Sequence, residues 1–168
     1  MFSFPGLRVS AVLTLTFVGL LCARVSSAQS TQTLTINATV SARAELTISP
    51  TTINFPDASP TTTPSIPANS TVSVTANVRT SGTPTLKVLA NGNLTSGANS
   101  IAITNVTWTA SAAPFIAGTL NSATSQDAAT FSSGSGSYSG VFTFALANSW
   151  ARADGSYTQT ATYTLTAP

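Results

Sequence analysis

The sequence has 168 residues, of which 42% are hydrophobic and 6% are charged, and its formal net charge is +2 at pH 7. It contains one cysteine and no histidine, so it cannot form a Ser-His-Asp or Cys-His catalytic arrangement, and a zinc site is excluded in practice. The low charge also excludes the basic patch that nucleic acid requires.

The first 28 residues have the pattern of a cleavable secretory signal peptide. Arg8 supplies a positive charge, residues 9–22 form an apolar run, and Ser26-Ser27-Ala28 places small residues before the cleavage position. We expect cleavage between Ala28 and Gln29. A membrane anchor is the alternative, but the apolar run is shorter than the roughly 20 residues of a spanning helix, and no second apolar run follows.

The mature chain is predicted to be a single domain, residues 29–168. Removing 28 of 168 residues leaves 140, which is enough for one hydrophobic core. Cys22 lies in the signal segment after two leucines rather than after the small residues of a lipidation site, so we expect neither a lipid nor a disulfide. The four basic and four acidic residues of the mature chain cancel, which leaves it weakly protected against self-association.

A long alternating segment opens the mature chain. Residues 33–48 predict one strand, or two strands with a kink near Ser41-Ala42, because successive strand residues point to opposite faces. The apolar residues that share one face at the start of this segment are Leu34, Ile36, Ala38 and Val40. The stretch that follows at residues 57–70 is rich in Pro, Thr and Ser, and we predict a surface loop there.

Further strands are predicted wherever apolar residues alternate with Thr, Ser and Asn. Asn91-Gly92 is a strong hairpin signal between two of them, and the Gly/Ser-rich residues 132–140 predict a turn. Trp108, at the end of one strand, is expected to lie between two sheets. The segments predicted as strands are residues 71–79, 85–90, 101–110 and 128–131.

The C-terminal residues 137–168 contain two more alternating runs. Phe142, Phe144 and Leu146 share a face in the first run, and Tyr163 and Leu165 share a face in the second. Asp154-Gly155 lies between the runs and favours a turn. We therefore expect two adjacent antiparallel strands that close the domain.

The sequence as a whole predicts an all-β fold. No segment has a helical period, and short strands recur with turn signals between them, which is typical of an antiparallel β-sandwich or barrel. Few residues could support catalysis, because the acids are few, are spread through the chain and do not suggest a pair of catalytic carboxylates. Asp57 and Asp127 could ligate calcium, but we interpret them as turn caps. We expect no cofactor, no metal and no enzymatic activity.

The tryptophans are candidate contacts for a glycan. Aromatic rings on a sheet surface can stack on sugars, and Trp108 and Trp150 are the two we single out. The alternative is that such aromatics pack in the core or pair across strands. Trp150 lies near a strand end and could cover the core or remain exposed.

Both ends of the mature chain resemble bacterial surface proteins. The opening TLTINATVSARAELTIS is similar to the first strand of fimbrial and spore-coat-U-type secreted proteins, although Ala44-Glu45 stand where those proteins often have a cysteine. The ending GSYTQTATYTLTAP resembles their last strand and, more weakly, the end of WxL-type cell-wall-binding domains. The imperfect matches to the WxL motif are Trp108-Thr109-Ala110 and Tyr163-Thr164-Leu165.

The fimbrial resemblance implies an immunoglobulin-like β-sandwich that is secreted and found outside the cell, at the cell surface or in the periplasm. Its partners would be other copies or other surface subunits, with no membrane span after signal removal. It also implies β-strand addition, with Leu34, Ile36, Ala38 and Val40 as a donor strand; the alternative is that they form the domain's own first strand. The WxL resemblance implies instead a non-catalytic module that binds cell-wall glycan.

Overall fold

A computed structural model describes residues 28–132 and 134–168. The predicted signal segment up to residue 27 lies outside the described residues. The chain divides into two units, Met1–Ala38 and Thr39–Pro168, and all the described strands lie in the second. These strands are β1 (Arg43–Ser49), β2 (Ser65–Pro67), β3 (Val72–Arg79), β4 (Thr85–Ala90), β5 (Leu94–Ser96), β6 (Asn99–Ile101), β7 (Val106–Ala110), β8 (Gly118–Thr119), β9 (Gln126–Thr130), β10 (Gly136–Ala147) and β11 (Ala161–Thr166).

The strands pair in antiparallel sheets, which confirms the all-β fold class. The larger sheet has the order β1-β3-β10-β7-β8, with β2 beside the second half of β10. A second sheet has the order β11-β4-β9, and β5 and β6 form a separate pair. A single turn of 3-10 helix, Ile103–Asn105, precedes β7. In the part of the chain that the structure describes, no helix is long and apolar enough to cross a membrane.

The alternation along the strands decides which side chains enter the core. In β3 and β4, every second side chain is buried, and Val74 and Leu86 have no exposed surface. Both larger sheets contribute to one hydrophobic cluster, so their apolar faces pack against each other. Phe142 of β10 is central to this cluster, because its ring contacts the rings of Phe115, Trp108 and Tyr163 at centroid distances of 5.7 to 6.3 Å.

Several predicted strands are confirmed. The strands at residues 71–79 and 85–90 correspond to β3 and β4, and residues 128–131 overlap β9. The faces predicted for β10 are also correct, since Phe142, Phe144 and Leu146 are buried. Other expectations were incomplete: β2 lies within the predicted loop, β10 begins within the predicted Gly/Ser turn, and residues 101–110 divide into the end of β6, the 3-10 turn and β7.

The prediction that residues 33–48 form one strand, or two with a kink near Ser41-Ala42, was wrong for its first ten residues. Only Arg43–Ser49 is a strand, and residues 28–42 belong to none. The register gives the reason: Arg43 is opposite Arg79, the last residue of β3, and the chain turns away at Ser81-Gly82. A strand that extended before Arg43 would therefore have no partner in this sheet.

The two predicted hairpins were also wrong. β10 and β11 do not pair, because β10 belongs to the larger sheet and β11 pairs with β4 in the other. The chain therefore crosses between sheets around Asp154-Gly155. The chain does bend at Asn91-Gly92, but the next strand, β5, pairs with β6 and not with β4. Local turn chemistry predicts the change of direction but does not determine the pairing.

Candidate functional site

The segment that the sequence singles out as a possible donor strand is exposed. Leu34, Ile36 and Val40 keep 81%, 83% and 69% of their surface accessible, and Ala38 is exposed too. The residues at the predicted cleavage position, Ala28 and Gln29, are likewise exposed and outside any strand. Three large apolar side chains within seven residues lie in water, where covering each of them would be favourable by about 1.5–3 kcal/mol.

The strand β11 is at the edge of its sheet. It pairs with β4 along its whole length, from Ala161 opposite Ala90 to Thr166 opposite Thr85. Among the described residues, no strand pairs with the other side of β11. The backbone N–H and C=O groups on that side can therefore accept an added strand.

The strand β1 is the neighbouring edge of the larger sheet. Within the part of the chain that the structure describes it pairs only with β3, and it approaches β11 across the two sheets. In the described part of the chain, no backbone hydrogen bond joins β1 to β11. We call the side of the domain formed by these two strands, Arg43–Ser49 and Ala161–Thr166, the open edge.

The apolar side chains at the open edge are incompletely covered. Leu46 and Ile48 of β1 and Tyr163 and Leu165 of β11 point toward the core, yet they are only partly buried. The corresponding inward residues of the adjacent strands β3 and β4 are buried. These four partly covered side chains border the edge between the two sheets, which we call the gap.

The opposite side of the domain, in contrast, is closed by backbone hydrogen bonds between β9 and residues 114–116, which connect β7 to β8. The Ile116 amide donates to the Ala128 carbonyl over 3.1 Å, and the Thr130 amide donates to the Pro114 carbonyl over 2.7 Å. Phe115 lies between these bonds and is 4% exposed. The two sides of the domain therefore differ in kind, and only the open edge lacks such bonds in the residues described.

Tyr163 brings a buried hydroxyl to the open edge. Its ring stacks on that of Phe142 with a centroid distance of 6.1 Å and an interplanar angle of 18°. Its hydroxyl is buried and has no hydrogen-bond partner among the described residues. Burial raises the pKa of the Tyr163 hydroxyl far above its ordinary value, because the charged phenolate would lose its hydration.

The two candidate tryptophans differ in their exposure to solvent. Trp108 is 2% exposed, and its indole N–H donates to the Ile116 carbonyl over 2.8 Å. The expectation that Trp108 is a core residue is confirmed, so its ring offers no face to a glycan. Trp150 is 74% exposed, and its indole N–H donates to Thr61 Oγ1 over 3.2 Å. Of the two residues, Trp150 alone presents an aromatic surface to solvent.

The charged residues form local ion pairs rather than a reactive cluster. Arg43 pairs with Glu45 and Lys87 pairs with Asp127, both at 2.6 Å and both on the surface, where such pairs contribute about 0–1 kcal/mol. Asp127 lies on β9, so its interpretation as a turn cap was wrong. In residues 28–132 and 134–168, no three metal-ligating side chains come together.

The chain matches no protein-family model and no curated protein sequence.

Proposed function

We propose that this protein is a secreted bacterial cell-surface protein with a structural or adhesive role, a pilin-like subunit that assembles by β-strand addition. The observation that carries the proposal is the open edge, where one side of β11 has no partner strand among the described residues and the apolar side chains are half-covered. The same chain also has an exposed alternating segment of the type that such an edge accepts.

The order of the strands supports an immunoglobulin-like arrangement with one position vacant. The constant-type immunoglobulin fold has strands A, B, E and D in one sheet and C, F and G in the other. Under this proposal, A, B, C, D, E and F would correspond in chain order to β1, β3, β4, β7, β10 and β11, and β9 would be an additional strand beside β4. The place of G is beside β11, where the described residues provide no strand.

The proposed donor is the segment of residues 33–40 from a second copy of the chain. At about 3.3 Å per residue it would span about 26 Å, which covers the roughly 20 Å of a six-residue strand such as β11. Alternate apolar residues would then face the gap between Leu46, Ile48, Tyr163 and Leu165. The alternative, that the segment is the domain's own first strand, is disfavoured because β1 already occupies the first-strand position.

Size-exclusion chromatography with light scattering tests the proposal on two forms of the protein. One form begins at Gln29 and the other begins at Ser41, so that only the first carries residues 33–40. We expect the longer form to assemble into oligomers and the shorter form to remain folded and monomeric. A monomeric longer form together with an unfolded shorter form would instead make the segment an intrachain strand and refute the proposal.

The second candidate function is a non-catalytic module that binds cell-wall glycan. The observation that favours it is Trp150, whose ring is 74% exposed although burial of such a large aromatic surface is favourable. A pull-down on peptidoglycan tests it. We expect binding that Trp150→Ala abolishes, whereas equal retention of wild type and variant would eliminate Trp150 as the contact.

A further inference from the structure

Arg152 differs from the other basic residues of the described chain. Arg43 and Lys87 form ion pairs, and Arg79 donates to the Ser41 carbonyl over 2.9 Å. The guanidinium of Arg152 makes no hydrogen bond or ion pair with any described residue, although the residue is partly buried. A partly dehydrated guanidinium without a partner has five N–H donors available for an anionic ligand.

Arg152 lines an open cleft of about 410 Å³ on the second unit of the chain. This volume lies within the range of about 300–1,000 Å³ typical of small-molecule sites. The cleft has one charged residue in its lining, Arg152, and the nearest acid in the sequence, Asp154, forms no ion pair with it. Its other polar lining residues are Asn99, Ser100, Asn105, Ser149 and Tyr157.

The polar groups of the cleft have hydrogen-bonding capacity to spare. Asn105 donates to the Ala102 carbonyl over 2.9 Å and keeps its amide oxygen as an acceptor. The Tyr157 hydroxyl donates to the Ala153 carbonyl over 2.8 Å and can still accept. Asn99 and Ser100 are exposed and make no side-chain hydrogen bond to a described residue. Such a mixture of donors and acceptors along one cleft suits the hydroxyl groups of a sugar.

We propose that this cleft binds an acidic oligosaccharide, with the anionic group held by Arg152 and the sugar hydroxyls by the surrounding amides and hydroxyls. The planar guanidinium fork favours a carboxylate or another oxyanion that can accept two parallel hydrogen bonds. The inference deepens the second candidate function by giving the glycan a charge and a binding site. It does not depend on strand addition.

Isothermal titration calorimetry with defined oligosaccharides tests the site. The probes are a hexamer of galacturonate, its neutral methyl ester, a sulfated dextran hexamer, its unsulfated counterpart, and inorganic phosphate. We expect one of the acidic hexamers to bind and its neutral counterpart to bind at least about tenfold more weakly, because the charge-assisted hydrogen bonds are lost. Which acidic hexamer binds identifies the anionic group.

The matched variants are Arg152→Gln and Lys87→Gln, which lower the net charge equally, and Lys87 lies outside both the cleft and the open edge. We expect Arg152→Gln to weaken binding about tenfold or more and Lys87→Gln to leave it unchanged, with both melting curves like that of the wild type. Equal loss in both variants, equal binding of the neutral hexamers, or phosphate binding as tight as that of the hexamer would each overturn the proposal. If Trp150→Ala abolishes binding and Arg152→Gln does not, the cleft is refuted while the second candidate function survives.

Discussion

At the scale of single residues, Gly118 shows how closely the core surrounds Trp108. Gly118 lies on β8 directly opposite Trp108 on β7, and a Cβ atom at this position would overlap the indole ring. That ring cannot move away easily, because it is 2% exposed and its N–H is bonded to the Ile116 carbonyl. Glycine is therefore required here by close approach and not by backbone conformation.

We expect Gly118→Ala to destabilise the fold by about 1–3 kcal/mol, the typical cost of inserting a methyl group into a filled core. Urea unfolding followed by tryptophan fluorescence measures the change. The control is Thr119→Ala on the same strand, where the side chain is exposed and the cost should be small. A Gly118→Ala variant as stable as the control would show that the ring is not held where it lies.

At neutral pH, we expect removal of the Tyr163 hydroxyl and removal of the Tyr157 hydroxyl to have opposite effects on stability. Tyr163→Phe removes a buried hydroxyl that has no partner, so we expect stability to stay the same or to rise. Tyr157→Phe removes a hydroxyl that donates to the Ala153 carbonyl over 2.8 Å, so we expect a loss of about 0.5–1.5 kcal/mol. The measurement is the urea midpoint of each variant. A lower midpoint for Tyr163→Phe than for Tyr157→Phe would show that the Tyr163 hydroxyl has a hydrogen-bond partner in solution.

The raised pKa of Tyr163 gives a dependence of stability on pH. The folded state keeps the hydroxyl protonated at pH values where the unfolded chain has already lost this proton, so stability is fully present below about pH 10 and falls above it. The slope from this one group is at most about 1.4 kcal/mol per pH unit. Between pH 9 and 11, the free energy of unfolding should decline less steeply in Tyr163→Phe than in the wild type. Parallel declines in the two proteins would contradict a raised pKa at Tyr163.

At the scale of elements, the strands with continuous alternation could be predicted from the sequence, and their pairing could not. β3 and β4 coincide with predicted segments because each buries every second side chain against the opposite sheet. β2 was missed because a three-residue strand that follows Pro64 and ends at Pro67 has no period to detect. Its formation depends on β10, which lies far along the chain and provides the edge beside which Ile66 is buried.

In the candidate site, too, features set by the local sequence could be predicted, and features set by distant strands could not. The apolar period from Leu34 to Val40 is visible in the sequence, and the exposure of these side chains is not. The open edge on β11 could not be predicted, because the turn signal at Asp154-Gly155 suggested that β10 covers it. Which strand neighbours another is a property of the assembled sheets, and hydrophobic alternation is satisfied by either pairing.

The donor segment can be tested as an element by changing one face at a time. We expect Leu34→Ser combined with Ile36→Ser to weaken self-association by more than about 100-fold, since each side chain loses about 1.5–3 kcal/mol of burial. The matched control is Thr35→Ser with Asn37→Ser, which changes the opposite face of the same segment. Sedimentation velocity measures both, and equal effects of the two pairs would mean that association does not use the alternation.

At the scale of the whole molecule, the domain is stabilised unevenly. One side is closed by bonds between residues 114–116 and β9, while the open edge leaves Leu46 and Leu165 partly covered. Among the described residues, β1 and β11, which flank the gap, each have a single neighbouring strand and no backbone hydrogen bond to each other, so the domain should open there first. A ligand that fills the gap would bind the folded state only and would raise its stability by mass action.

This reasoning gives a prediction that uses the form beginning at Ser41 and a synthetic peptide of residues 31–42. We expect the melting temperature to rise with peptide concentration, by a stabilisation of about 2.7 kcal/mol at 100 times the dissociation constant. A peptide of the same composition in scrambled order, in which the apolar residues do not alternate, is the control and should have no effect. The donor peptide should also slow amide hydrogen exchange in β11, because its unpaired edge becomes hydrogen-bonded. A melting temperature that stays constant with peptide, in a protein that remains folded, would show that the open edge does not accept this segment.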